Sequence, residues 1–461
     1  MKSDSNSNNG GVIRGALPLK IKLGYGLGDI GSNLFIVTTG MFLLYFMVEV
    51  MGIDPALAGT ALLFPKLWDV VSDPIMGTIS DATRSKHGRR RPYLLYGSVP
   101  FGLTFLILFI APHYASEMAN TIHVALLFAL GCTAFTVINV PYSSMVAEMS
   151  DNYNERMSIT AFRMSSASVG ALIAGGAAMP LVKLGGGGET GFVFMAEVFS
   201  VLIIISCLIC FYSTKRAPAL PPKEDTPPIF EQIRIAFKNF QFFMLMSSYF
   251  FQALAVGVMM AGFVFFIKYV MGQTEESMGI AFPIFLVTGI LFIPVWNAVG
   301  KRFGKIRSYY IGLAIFTVMQ LSLFFSKPDL IVFFYIQIFI LGIGFSSFQL
   351  FPFSMLPDTI EYDQMRSGMR REGVFSGMWS SGQKIAYSVG PPIVGLVLAA
   401  FHYDKSLEYN QPDSVALGVR LVFCVFPAAM IFLSFIPFSR YGLTEKKFEE
   451  IKKVIAKEGG S

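Results

Sequence analysis

Residues 66–77 read K-L-W-D-V-V-S-D-P-I-M-G and place two carboxylates, Asp69 and Asp73, in a stretch that is otherwise apolar. At i and i+4 of a helix they share a face. Ser72 flanks that face, and Lys66 lies one turn toward the N-terminus. A carboxylate at the centre of a membrane-spanning helix costs about 2.5–3.5 kcal/mol. Two on one face repel unless a positive charge joins them. Three sources of that charge are open: a sodium ion, which is a hard cation that takes oxygen ligands; a proton; or Lys66, which would make the cluster a structural salt bridge.

Other polar groups interrupt apolar runs. In T-V-I-N-V-P-Y-S-S (136–144), Thr136 and Asn139 are three apart and face one way, and Pro141 frees backbone carbonyls locally. In G-L-G-D-I-G-S-N (26–33), glycines allow close helix approach; Asn33 is the deepest strongly polar group, with Asp29 nearer the cytoplasm. In W-S-S-G-Q-K-I-A-Y-S (379–388), Lys384 is a lone cation that needs a partner or a watery cavity. Trp379, Gln383 and Lys384 make a plausible wall for a polar ligand, with a lipid- or core-facing aromatic as the alternative for Trp379.

The elements that must position these groups are membrane helices. Of 461 residues 54% are hydrophobic and only 14% charged, Phe contributes 46, and mean hydropathy is +0.58. A soluble domain of this length carries far more charge. Spanning runs of roughly 20 apolar residues are expected at 22–49, 56–80, 93–112, 121–148, 157–182, 190–213, 240–270, 277–300, 307–326, 329–353, 371–402 and 415–438, hereafter spans 1 to 12. A disordered polar tail (1–20) precedes a six-helix half (21–213). A Pro-rich charged linker (214–239) leads to a second half (240–438) and a tail (439–461) with the spacing of an amphipathic surface helix. No cleavable signal peptide is expected.

Lys and Arg concentrate in the N-terminal tail, the even-numbered loops and the C-terminal tail. The exceptions are Lys183, Lys268, Lys327, Lys405 and Arg420 near the odd-numbered loops, with Lys66 and Lys384 inside spans. Both termini are therefore expected in the cytoplasm of a multi-pass protein of a bacterial inner (plasma) membrane. The net charge of +6 is a topology signal and implies no nucleic-acid partner. Cys132, Cys207, Cys210 and Cys424 all fall in apolar runs and suit packing. No metal-ligand cluster, G-x-S-x-G or His beside a nucleophile points to an enzyme.

The two halves carry a weak repeat. G-T-I-S-D-A-T-R-S-K-H-G-R-R-R-P follows span 2, and N-A-V-G-K-R-F-G-K-I-R follows span 8. Aligning them sets Pro74 against Pro294 and Asp73 against Ile293, so the carboxylates belong to the first half alone. An all-α membrane protein of twelve helices in two such halves suits a major-facilitator fold.

The segments W-D-V-V-S-D-P-I-M-G-T-I-S-D, N-V-P-Y-S-S-M, D-N-Y-N-E-R-M-S-I-T-A-F-R, L-P-D-T-I-E-Y-D and R-R-E-G-V-F-S-G-M-W-S-S-G-Q-K resemble the glycoside–pentoside–hexuronide:cation symporters, typified by melibiose permease, over residues 20–440. The resemblance implies a secondary active symporter, usually monomeric, with Na+ or H+ as coupling ion and no other cofactor. It implies a cation site at Asp69, Ser72, Asp73 and Thr136, with Asp69 and Asp73 as metal ligands if the ion is sodium. Substrate contacts are implied at Asn33, Asn139, Arg163 and Lys384. Four positions depart from melibiose permease: Ser72 stands where it has an asparagine in the cation site, Asn33 and Asn139 where it has aspartates, and Ser143 where it has a tryptophan. The galactoside clamp is thus lost, and the site gains positive character that suits a uronide, a sulfonated sugar or a phosphate-bearing solute. Sodium-dependent lysophosphatidylcholine symporters also share the stretches seen here at Asn139–Ser144 and Ser354–Asp358. A lipid-like substrate therefore stays open beside a sugar, as does passive facilitation.

The expected mechanism is alternating access, with the halves rocking about a midplane site. A cytoplasmic gate is expected from the G-R-R-R-P loop and from Asp358, Glu361 and Asp363. Asp151, Glu155 and Arg156 are expected in ion pairs that hold it shut in the outward-facing state.

Overall fold

In the computed structural model, the described residues are 17–150, 152–217, 229–274, 277–367, 371–407, 410–443 and 447. They form helices and connecting turns with no strand among them. Each expected span has its helix, and among the described residues nine of these are long and apolar enough to cross a membrane by that measure alone. The remaining three are the shorter span 3 (Arg91–Leu108) and spans 2 and 11, which carry the buried charges.

Proline accounts for most interruptions, because it removes an N–H and frees the carbonyl four residues back. Span 2 divides at Leu62 into Pro55–Ala61 and Leu63–Ala82, just ahead of Pro65. Span 8 divides at Phe292 ahead of Pro294, and span 11 divides at Val389 ahead of Pro391 and Pro392. Span 1 (Leu19–Tyr45) and span 7 (Phe240–Phe265) each end in a π-helical turn, Phe46–Val50 and Phe266–Val270. These turns are offset by the same number of residues that relates Pro74 to Pro294, so the backbone repeats with the sequence.

Span 10 differs from expectation. Its helix runs Ile331–Ser367, past 353 and through Pro352 and Pro357. Hydrophobicity ends where expected, but tertiary contacts carry the helix on. Asp358 and Thr359 are buried, Lys305 Nζ binds Asp358 Oδ2 at 2.8 Å, and Asn239 Nδ2 donates to the Thr359 carbonyl at 2.9 Å. The linker contributes a 3-10 turn, Thr214–Arg216, and a helix, Ile229–Lys238. The C-terminal amphipathic segment lies outside the described residues, apart from Lys447.

The bundle has a basic face, bearing the linker and the even-numbered loops, and an opposite face. The halves pack through spans 1 and 7, 2 and 11, and 5 and 8. A Cβ at Gly59 would stand 2.6 Å from the Pro391 carbonyl oxygen, and one at Gly395 only 2.0 Å from that of Pro55. Glycine is needed for this approach. On the basic side of Lys384, the same face of span 11 bears Gly373, Gly377 and Ser380. A Cβ at either glycine would meet nothing within 4 Å, and Ser380 is exposed. The halves are thus joined toward the opposite face and apart along this stripe.

Candidate functional site

Span 2 presents Asp69 and Asp73 toward span 4, where Thr136 is buried between them. The Thr136 hydroxyl lies 2.7 Å from Asp69 Oδ1 and 3.0 Å from Asp73 Oδ1. Ser72 Oγ is 3.2 Å from Thr136 Oγ1. Four oxygen-bearing side chains from two helices of one half therefore converge.

The positive charge comes from elsewhere. Lys384 Nζ reaches across from span 11 to within 3.1 Å of Asp69 Oδ2 and forms a still shorter bond to Asp73 Oδ2. Lys66 is not the partner: its ammonium sits over the rings of Phe35 and Phe128 at 5.7 and 5.2 Å. That corrects the salt-bridge alternative. The bridge exists, but it joins the two halves. Among the described residues Lys384 is the one cation at ion-pair distance from the acids, so two carboxylates face one ammonium. The Asp69 side chain is only 5% exposed, and the oxygen donors gathered there suit a small hard cation or a proton.

The substrate residues divide into two groups. Arg163 Nε binds Asp29 Oδ2 at 3.0 Å, and its guanidinium lies over the Tyr142 ring at 5.1 Å. Asn33 Nδ2 donates to the Asp29 carbonyl at 2.9 Å. Asn139 is partly buried, one turn beyond Thr136. Beneath Arg163, Tyr25 and Tyr142 stack with ring centroids 4.6 Å apart. Each hydroxyl donates to the other's carbonyl, at 2.8 and 2.9 Å, clasping spans 1 and 4. The positive character expected from Arg163 and Lys384 is therefore corrected: both cations are paired with carboxylates. Asp29 has no assigned role in the sequence, although Tyr25 and Asp29 stand i and i+4 in G-Y-G-L-G-D.

Trp379 is corrected too. It is 2% exposed, stacked on Tyr249 at 4.2 Å and edge-on to Phe353, so it packs the second half and lines no open wall. Gln383 Nε2 donates to the Tyr387 hydroxyl at 3.2 Å on its own helix.

The contacts described for Glu155, Arg156, Asp358 and Asp363 lie within a half. Glu155 binds Lys22 at 2.9 Å and accepts from the Leu17 N–H at 2.6 Å. Arg156 donates to the Ala147 carbonyl at 3.1 Å. Asp358 binds Lys305, and Asp363 lies 3.7 Å from Arg371. Glu361 is partly buried, and Asp151 lies outside the described residues. At the other end, Glu49 of span 1 and Lys268 of span 7 form a buried ion pair of 2.7 Å between the halves, with the Tyr269 hydroxyl also on Glu49. In the sequence Lys268 stands out only as a basic exception near an odd-numbered loop.

This arrangement has known relatives. The chain is 28% identical over 96% of its length to YagG of Escherichia coli, described as a candidate glycoside/cation symporter, and spans 95% of that protein. It is 26% identical over 94% of its length to a candidate sulfoquinovose importer of the same organism, spanning 92% of it. In fold it matches a bacterial homologue of the lysosomal transporter Spinster in an inward-facing, unoccupied conformation. The TM-score is 0.68 at 15% identity, covering 93% of this chain and 98% of that one. The family model for MFS/sugar transport proteins matches residues 24–445, and the chain belongs to that family.

Proposed function

We propose that the protein is a secondary active transporter that couples entry of Na+ or H+ to uptake of a sugar-type solute by alternating access. In this reading both termini lie in the cytoplasm, so the basic face is the open, inner one. The observation that carries it is the Asp69–Asp73–Thr136–Ser72 cluster, closed by Lys384 from the other half. A cation entering between the carboxylates competes with Lys384 for the same oxygens. Binding it loosens the central tie between the halves and orders spans 2 and 4. Span 4 also carries Asn139, so substrate affinity rises with cation occupancy, and by reciprocity the cation is held more tightly when substrate is bound.

The substrate face supports a polyhydroxyl ligand. The Asp29 carboxylate accepts from hydroxyls, Arg163 donates, and the amides of Asn33 and Asn139 do both. A charge-balanced site of this kind takes a neutral glycoside directly. A sulfonated sugar, the solute named for one relative, or a uronide would share Arg163 with Asp29.

Uptake into proteoliposomes of purified protein tests this, with neutral glycosides, uronides, sulfonated sugars and lysophospholipids supplied under an inward Na+ gradient, an inward H+ gradient or neither. Gradient-driven accumulation of one saccharide class is the expected result. Accumulation of lysophospholipid alone would overturn the substrate class, and uptake that never exceeds equilibration for any solute would overturn coupling.

A further inference from the structure

The helix Ile229–Lys238 lies against the basic-face ends of spans 7 and 11, beside a cavity of about 740 Å³ lined by Glu231, Arg234 and Lys238 of this helix, Asp363 and Arg366 of span 10, and Arg371 among others. We infer that this cavity binds the phosphate headgroup of an anionic phospholipid. The charge is unbalanced. Asp363 is matched by Arg371 at 3.7 Å, which leaves Arg234, Lys238 and Arg366 against Glu231. Arg234 and Lys238 have no ion-pair partner among the described residues, and the Arg366 guanidinium lies over the Tyr362 ring at 5.6 Å. Three cations converging on one opening repel each other, and an anion that takes charge-assisted hydrogen bonds from several of them relieves that.

The position selects the source of the anion. The helix of span 10 ends at Ser367, that of span 11 begins at Glu372 and that of span 7 begins at Phe240, so the cavity sits where spans leave the membrane. Phe237, exposed on the linker helix, packs its ring 5.3 Å from Phe243 at the start of span 7, marking the apolar boundary beside the charges. A basic pocket between helix ends at this level is the setting in which anionic headgroups are held. Bound there, the lipid ties the connector between the two halves to the second half, whatever solute is carried.

The test uses the full chain in detergent. Thermal unfolding is followed with short-chain phosphatidylglycerol, short-chain phosphatidylcholine or sodium phosphate, for the wild type, Arg234→Gln with Lys238→Gln, Glu231→Gln, and a control with Arg84→Gln and Lys86→Gln in another loop of the same face. Phosphatidylglycerol is expected to raise the midpoint at concentrations where phosphatidylcholine does not. Its apparent affinity should fall at least about tenfold in the Arg234/Lys238 variant, tighten in Glu231→Gln and hold in the control. Equal responses to the two lipids, or an unchanged response in the Arg234/Lys238 variant, would overturn the site. Sodium phosphate matching phosphatidylglycerol would overturn the lipid source. If the double variant does not fold, Glu231→Gln decides: an unchanged or weaker response to phosphatidylglycerol overturns the inference.

Discussion

Spans 2 and 11 meet along their length in three different ways. Toward the opposite face they touch backbone to backbone, with Gly59 on Pro391 and Gly395 on Pro55. At the centre they are joined by charge, Asp69 and Asp73 to Lys384. Toward the basic face they part. A Cβ at Gly77 would have only a Val140 methyl at 4.0 Å, and one at Gly373 or Gly377 would have nothing nearby. The apolar end depends on shape and ignores ions, whereas in the proposed mechanism the central tie responds to whatever else occupies the carboxylates. One pair of helices therefore combines a steric contact, an ionic contact that the proposed mechanism makes the switch, and a glycine-lined stretch spacious enough for a second close approach.

The largest effect expected is at the switch. Asp73→Asn should abolish cation-driven accumulation and leave a folded protein, as read from proteoliposome uptake beside a thermal unfolding curve. Glu49→Gln should cost this conformation about 3 kcal/mol, because it breaks a buried ion pair that joins the halves. Labelling of single cysteines placed on the two faces should then shift toward access from the opposite face.

Next comes the contrast between glycines. Gly395→Val should destabilise by about 1–3 kcal/mol through overpacking against Pro55, whereas Gly377→Leu should leave the unfolding midpoint in place and slow transport by preventing spans 2 and 11 from closing. Equal stability losses at the two positions would break the comparison. The smallest effect belongs to Lys305→Gln. Its side chain is 44% exposed in the pair with Asp358, and its stability change should stay within about 1 kcal/mol by denaturant titration.

Much of this was legible in the sequence. The spans follow from apolar runs, and helical spacing puts Asp69 and Asp73 on one face of span 2, whereas Thr136 of span 4 joins them only through the family resemblance. Spacing within one helix says nothing about which charge on a distant helix answers it. Lys66 was the neighbour in sequence, yet it went to the rings of Phe35 and Phe128, while Lys384 arrived from the other half. Arg163 and Asp29 show the same limit: each was noticed, but their neutralisation is a tertiary fact. Trp379 looked like a ligand wall because it shares a segment with Gln383 and Lys384, but its indole turned to Tyr249. The extension of span 10 past Pro357 depended on Asn239 and Lys305, which lie far away in the chain.

The most direct test of the central claim needs no substrate. The unfolding midpoint of the purified protein is measured as choline is replaced by sodium, and again as pH is lowered in choline, for the wild type and Asp73→Asn. Binding to the folded state should stabilise the wild type by about 2.7 kcal/mol at a hundredfold excess over Kd. The account predicts that the wild type responds to one of these cations and Asp73→Asn to neither. A variant that responds as the wild type does would contradict the assignment of the coupling site to the Asp69–Asp73 cluster.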